Sequence, residues 1–95
     1  MKKIIVTVQD LKSGYADPFI VDNENLAIRL FRVSFTDSNN LIMSSYPDDF
    51  RLVKIGEYES KTGVIDAYSE SKFVILANGT DFHSDVKGVD NVEIS

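Results

Sequence analysis

The sequence predicts an α+β domain, a small and mainly antiparallel sheet packed against one amphipathic helix. Three observations predict it. Ile4, Val6 and Val8 alternate with Lys3, Thr7 and Gln9 around Ile5, the period-two pattern of a half-buried strand. Ala27, Ile28, Phe31 and Phe35 recur at helical spacing and form one stripe. The stretch 46–66, YPDDFRLVKIGEYESKTGVID, carries a turn, a strand, a glycine-closed hairpin and a return strand in continuous order.

Taken along the chain, the opening strand breaks at Ser13-Gly14, and Pro18 then holds Asp17 in extended or turn geometry. The short apolar run Phe19-Ile20-Val21 is a second strand. Asp22 or Asn23 can accept hydrogen bonds from the free amides of a helix start, and Glu24 suits the positive end of the helix dipole. Leu30 widens the apolar stripe of that helix, while Arg29 and Arg32 lie three apart on its flank. Asp37-Ser38-Asn39-Asn40 offers side chains that compete for backbone hydrogen bonds, which ends the helix there. Residues 41–45 fit no single pattern. At Tyr46-Pro47-Asp48-Asp49, proline fixes φ and the aspartates favour a turn or a short helical start.

Over residues 50–59 one alternating set holds Phe50, Leu52, Lys54, Gly56 and Tyr58, and the other Arg51, Val53, Ile55, Glu57 and Glu59. Neither set is cleanly polar, as expected of an interior strand covered partly on both faces. Ser60-Lys61-Thr62-Gly63 reads as a type I turn closed by a left-handed glycine, after which residues 64–68 return antiparallel. Residues 73–76 add a further strand. From Gly79 onward periodicity fades, so the expected organisation is one domain over residues 1–78 and an acidic segment over 79–95, weakly structured or forming an extra edge strand.

A chain of 95 residues has room for one core. Domains of this size bury only about 60–65% of the surface that the unfolded chain exposes, so self-association is an accessible way to enlarge the core, and a homodimer is expected. The absence of cysteine removes disulfides and thiolate chemistry and leaves packing to hold the interior, which fits a reducing cytoplasm. The apolar run after Lys2-Lys3 ends at Gln9-Asp10, far short of membrane-spanning length, and no membrane association is expected.

Charge bears on any nucleic-acid role. Fifteen acidic against ten basic residues give a net −5, which repels a polyanion at long range. The excess is uneven: the first 78 residues are at −2, and the remainder, with Asp81, Asp85, Asp90 and Glu93 against Lys87, is at −3.

No metal-ligand cluster, nucleophile elbow or phosphate-cradling glycine loop is present in the sequence, and His83 is the only histidine. No enzyme, metal or cofactor is expected. Asp48-Asp49 is the one adjacent carboxylate pair, and a turn or helix-start role suits it better than catalysis. A small hydrolase would need His83 brought against Asp48 or Asp49. Phe31, Phe35 and Phe50 fit core positions. Tyr58 and Tyr68 flank the hairpin and are the better candidates for exposed stacking platforms, with Arg51, Lys54 and Lys61 near enough to serve phosphates. Arg29 and Arg32 can pair with a phosphate backbone, with a partner's carboxylates, or with acids of the same chain.

The order of these features resembles the small nonstructural protein of gokushovirus-type microviruses, tailless phages with single-stranded DNA genomes. The resemblance rests on the opening strand, Tyr15 with Pro18-Phe19, Ala27-Ile28-Arg29 followed by Phe31, Pro47-Asp48-Asp49-Phe50 with Leu52, Ile55-Gly56, and Thr62-Gly63 followed by Ile65. It covers about residues 3–77, and the tail after Asn78 departs from the family's short form. What the resemblance implies is a protein outside the mature virion, acting in the host cytoplasm in the switch to, or support of, single-stranded DNA synthesis, with no catalytic residues. Arg29 matches the family pattern, and Tyr58 stands where members tend to carry an aromatic residue.

The expected partners are therefore single-stranded DNA, held by Arg29, Arg32, Arg51, Lys54 and Lys61 with stacking by Tyr58 or Tyr68, or a viral or host replication protein. The alternative is a protein-interaction module without nucleic-acid contact, working through an exposed strand edge or the apolar helix flank. A contiguous basic stripe with exposed tyrosine would favour DNA. Scattered charges with an apolar patch would favour a protein.

Overall fold

The computed structural model describes residues 1–36, 43 and 45–82. The strands are β1 (Lys2–Asp10), β2 (Gly14–Tyr15), β3 (Phe19–Val21), β4 (Phe50–Glu59), β5 (Val64–Ala67) and β6 (Val74–Asn78), and the helix α1 spans Glu24–Ser34. All pair antiparallel in one six-stranded sheet, and α1 lies on one face of it, which gives the expected α+β class.

The centre of the sheet is the long pair β1–β4, in register from Lys2↔Glu59 to Asp10↔Phe50. Along the other edge of β1 lie β2, opposite Gln9 and Asp10, and β3, opposite Ile4 to Val6. The far edge of β4 is shared in the same way, by β6 opposite Arg51 to Lys54 and β5 opposite Gly56 to Glu59. So β4 is the interior strand that its mixed pattern predicts. Register shifts at Ile5/Val6 and at Leu52/Val53 disturb the simple alternation. Leu52 and Val53, adjacent in sequence, are both buried, one on each side of the sheet.

Asn23 caps α1, its side-chain oxygen accepting from the Leu26 amide at 2.8 Å. The helix ends at Ser34, earlier than the 37–40 stop expected from the sequence, and those four residues lie outside the described ones. Two hydroxyls account for the early end. Ser34 Oγ donates to the Leu30 carbonyl and Thr36 Oγ1 to the Val33 carbonyl, while the amides of Phe35 and Thr36 tighten into turns onto Arg32 and Val33.

The core on the helix side joins Ile4, Val6, Val21, Ala27, Phe31, Phe35, Met43, Phe50, Leu52 and Ala77. Ile28 is only partly buried, and Leu30 departs from the expected stripe: it is 45% exposed and edges a surface groove instead. The aspartate pair forms a short 3-10 turn, Pro47–Asp49, as the proline predicts. Gly63 has φ +76 and its amide donates to the Glu59 carbonyl at 2.8 Å, closing the β4–β5 hairpin as expected.

Two parts of the fold lie beyond the sequence reading. The break at Ser13-Gly14 is a tight reversal into β2, held by the Asp10 carboxylate, which accepts from the Lys12 amide at 2.9 Å and the Ser13 hydroxyl at 2.8 Å. Past Asn78, the packed unit continues through a 3-10 turn, Gly79–Phe82, whose Phe82 ring lies 5.8 Å from Phe31 and 6.0 Å from Phe35. His83 and the rest of the acidic segment lie outside the described residues.

Candidate interaction surfaces

The register places the seven proposed DNA-binding residues on different sides of the molecule. Arg29 and Arg32 are exposed on α1, on the helix side. Arg51 and Tyr58 sit on the outer face of the sheet, opposite Gln9 and Lys3, and the Arg51 Nε donates to the Gln9 side chain. Lys61 stands at the hairpin tip.

Lys54 and Tyr68 are brought together, with the Lys54 Nζ 5.9 Å from the centre of the Tyr68 ring. Lys54 also reaches Glu24 at the start of α1, at 3.4 Å, with its side chain only 15% exposed. Burial alone would pull its pKa down. The hydrogen bond that Lys54 donates to Glu24 and the interaction with Tyr68 outweigh it and raise the pKa above the ordinary lysine value. Lys54 is therefore a charged strut between helix and sheet, committed to a carboxylate.

The exposure expected of Tyr58 and Tyr68 is corrected, because both are half-buried. Tyr58 lies on the interior strand, and Tyr68 lies alongside Lys54. Tyr15 and Tyr46 are the exposed tyrosines. Tyr15 follows the tight reversal and Tyr46 precedes the proline turn, so a position next to a turn was the sequence signal for exposure. The contiguous basic stripe does not form among the described residues.

Two apolar surfaces stand out instead. Beside α1, Val8, Tyr15, Phe19, Leu30, Phe31 and Phe50 line most of a groove of about 510 Å³, with Asp10, Ser13 and Ser34 supplying polar atoms at its rim. On the opposite side, Ile5, Pro18, Ile20, Ile55, Ile65 and Ala67, with Phe19 at the border to the groove, surround an apolar depression of about 310 Å³ in the outer face of the sheet. Thr7 and Val53, register partners on that face, are buried, and the Thr7 hydroxyl donates to the Ala16 carbonyl at 2.7 Å. The Tyr15 ring meets Phe73 edge-on at 6.2 Å across the same face.

Among the described residues no three potential ligands of the His, Cys, Asp and Glu types gather as a metal site, and no helix is long and apolar enough to cross a membrane.

Two half-buried carboxylates carry a pH dependence. Glu59 is held below the usual carboxylate range by a hydrogen bond from the amino group of Met1 and another from the Lys61 amide. Asp10 is lowered by the Lys12 amide and the Ser13 hydroxyl. A carboxylate whose folded pKa is depressed contributes stability that is present above its unfolded pKa, about 4, and is lost as pH falls through the folded value. Thermal midpoints measured from neutral pH downward should fall in this acid window. The double variant Asp10→Asn, Glu59→Gln should start lower at neutral pH and show a shallower acid decline.

The family model described as phage ORF5 protein matches residues 3–82, from β1 through the Gly79–Phe82 turn. Among curated proteins and among solved structures, none matches the chain.

Proposed function

The chain belongs to the phage ORF5 protein family, and from that membership we propose that it is a nonenzymatic accessory protein of a microvirus-type phage, supporting single-stranded DNA genome synthesis by docking onto a viral or host replication protein. In this reading it acts in the host cytoplasm and stays out of the mature virion. The single observation that carries the protein-docking part is the groove beside α1. It is the size of an ordinary ligand site, mostly apolar, and edged by exposed Tyr15, Phe19 and Leu30, the arrangement that accepts the apolar anchors of a peptide or helix.

The charge distribution supports the same reading. Lys54 is bound to Glu24, Arg51 is engaged by Gln9, and the remaining bases stand on different sides of a chain with net −5, so a strand of phosphates finds no continuous track among the described residues. Direct binding of single-stranded DNA is a second reading. It is favoured by Arg29 and Lys61, for which no carboxylate partner occurs among the described residues.

The test pairs two measurements. Leu30→Asp should abolish cross-linking to a replication protein in phage-infected cells while Arg29→Ala leaves it intact. Titration against labelled single-stranded DNA at two salt concentrations should give no more than non-specific affinity, a Kd of about 10⁻⁴–10⁻⁶ M at physiological salt. Tight, salt-sensitive DNA binding that Arg29→Ala or Tyr58→Ala weakens would replace the docking reading with the DNA one.

A further inference from the structure

We propose that the outer face of the sheet, opposite α1, is where a second copy of this chain binds, so that the working form is a homodimer packed sheet against sheet. This surface meets the groove that carries the functional reading only at Phe19, which borders both. Ile20, Ile65 and Ile75 are exposed on it by 45%, 60% and 47%, the first two bordering the depression together with Ile5, Ile55 and Ala67. Aliphatic side chains on the outside of a sheet normally meet another layer.

Charge selects a second copy as that layer. Two chains of net −5 repel each other, and most faces would bring carboxylates together. On the helix side the strands present Glu57, Glu59 and Asp66, with Glu24 above them. The paired positions of the outer face hold aliphatic, aromatic and neutral polar residues with Lys3 and Arg51 as the charged ones, and no carboxylate among them. Both cations are already engaged, Lys3 with Asp22 at 3.3 Å and Arg51 with Gln9. Asp22 stands at the rim of this face but is matched by Lys3 beside it, so apposing the face on itself removes apolar surface from water while bringing together no acid that lacks a base.

Size agrees. The sheet is four strands wide and β1 is nine residues long, which at about 4.8 Å per strand and 3.3 Å per residue gives a face of roughly 600 Å² in projection. A specific interface needs about 800 Å² of accessible surface per partner, and accessible area exceeds projected area, so the face suits a dimer of the smaller standard size. With no disulfide to brace a small core, a second sheet also supplies the layer that the outer isoleucines lack.

Sedimentation equilibrium of the full chain at micromolar to tens of micromolar concentration tests this. The wild type should sediment as a dimer, and Ile20→Asp combined with Ile65→Asp should raise the dissociation constant by roughly 100-fold or more. Both positions are exposed, so circular dichroism should remain that of the folded chain. Val33→Asp, on the exposed side of α1, should leave the dimer unchanged. A wild-type monomer at the highest concentration, a dimer that survives the paired substitution, or a dimer lost in Val33→Asp instead would each overturn the proposal. Cross-linking of the Leu30→Asp variant reports on the groove separately, so either surface can fail without the other.

Discussion

Replacing Gly79 with alanine is expected to cost about 3 kcal/mol or more, because the new methyl group has no room and its obstacles are backbone. A Cβ there would run into the Pro47 carbonyl oxygen and come within 3.0 Å of the Phe50 carbonyl oxygen. Neither can swing aside as a flexible side chain could. The proline turn would have to separate from the Gly79–Phe82 turn, pulling Phe82 off Phe31 and Phe35. Gly63→Ala is the useful comparison, since that glycine has φ +76 but nothing within 4 Å of its missing Cβ. Its cost is conformational only, about 1–2 kcal/mol. Urea unfolding of both variants should therefore rank Gly79→Ala clearly below Gly63→Ala, and equal losses would mean that the two turns are not in contact.

Phe35→Ala should lose about 3–5 kcal/mol, the range for emptying a buried phenylalanine site. Phe35 is 1% exposed, and its ring stands edge-on to Phe31 with centres 4.8 Å apart. A domain of 95 residues has a total stability of only about 5–14 kcal/mol, so this one cavity consumes a large share. Each kcal/mol corresponds to about 4–8 °C in the melting midpoint of a domain this size. Phe35→Leu, which keeps most of the volume, should recover much of the loss in a thermal melt. Full stability in Phe35→Ala would show that the ring cluster does not close the core.

Both positions also mark what could be read from the sequence. Phe35 was legible because helical spacing from Ala27 through Phe31 reaches it, even though the backbone leaves the helix one residue earlier. The extent of β4 and the hairpin at Gly63 were legible because alternation and turn chemistry are local. Gly79 was not, since nothing adjacent to it says that Pro47 lies against it. The same limit explains β2, whose two residues are too few to make a pattern, and the exposure of Leu30, which depends on which neighbours the sheet supplies.

For the candidate surfaces the limit is sharper. Arg51 and Lys54 are three apart in one strand, so alternation alone sets them on opposite faces, where Gln9 engages the one and Glu24 the other. Charge content was readable, but the pairing of those charges across the sheet was not. The outer isoleucines were visible as strand residues, while their lack of cover depends on α1 crossing one side of the sheet.

The β1–β4 pair has a consequence for how the chain reaches this state. Its partners lie forty or more residues apart, with β2, β3 and α1 between them. Ring closure over that span is slow compared with forming a local helix or hairpin. As the polypeptide emerges from the ribosome, the run Ile4-Ile5-Val6 must wait, uncovered on one side, until residue 57 has been made. That interval is when a nascent chain of this design is most open to misassociation, and when rapid burial by α1 and β3 does most to keep it soluble.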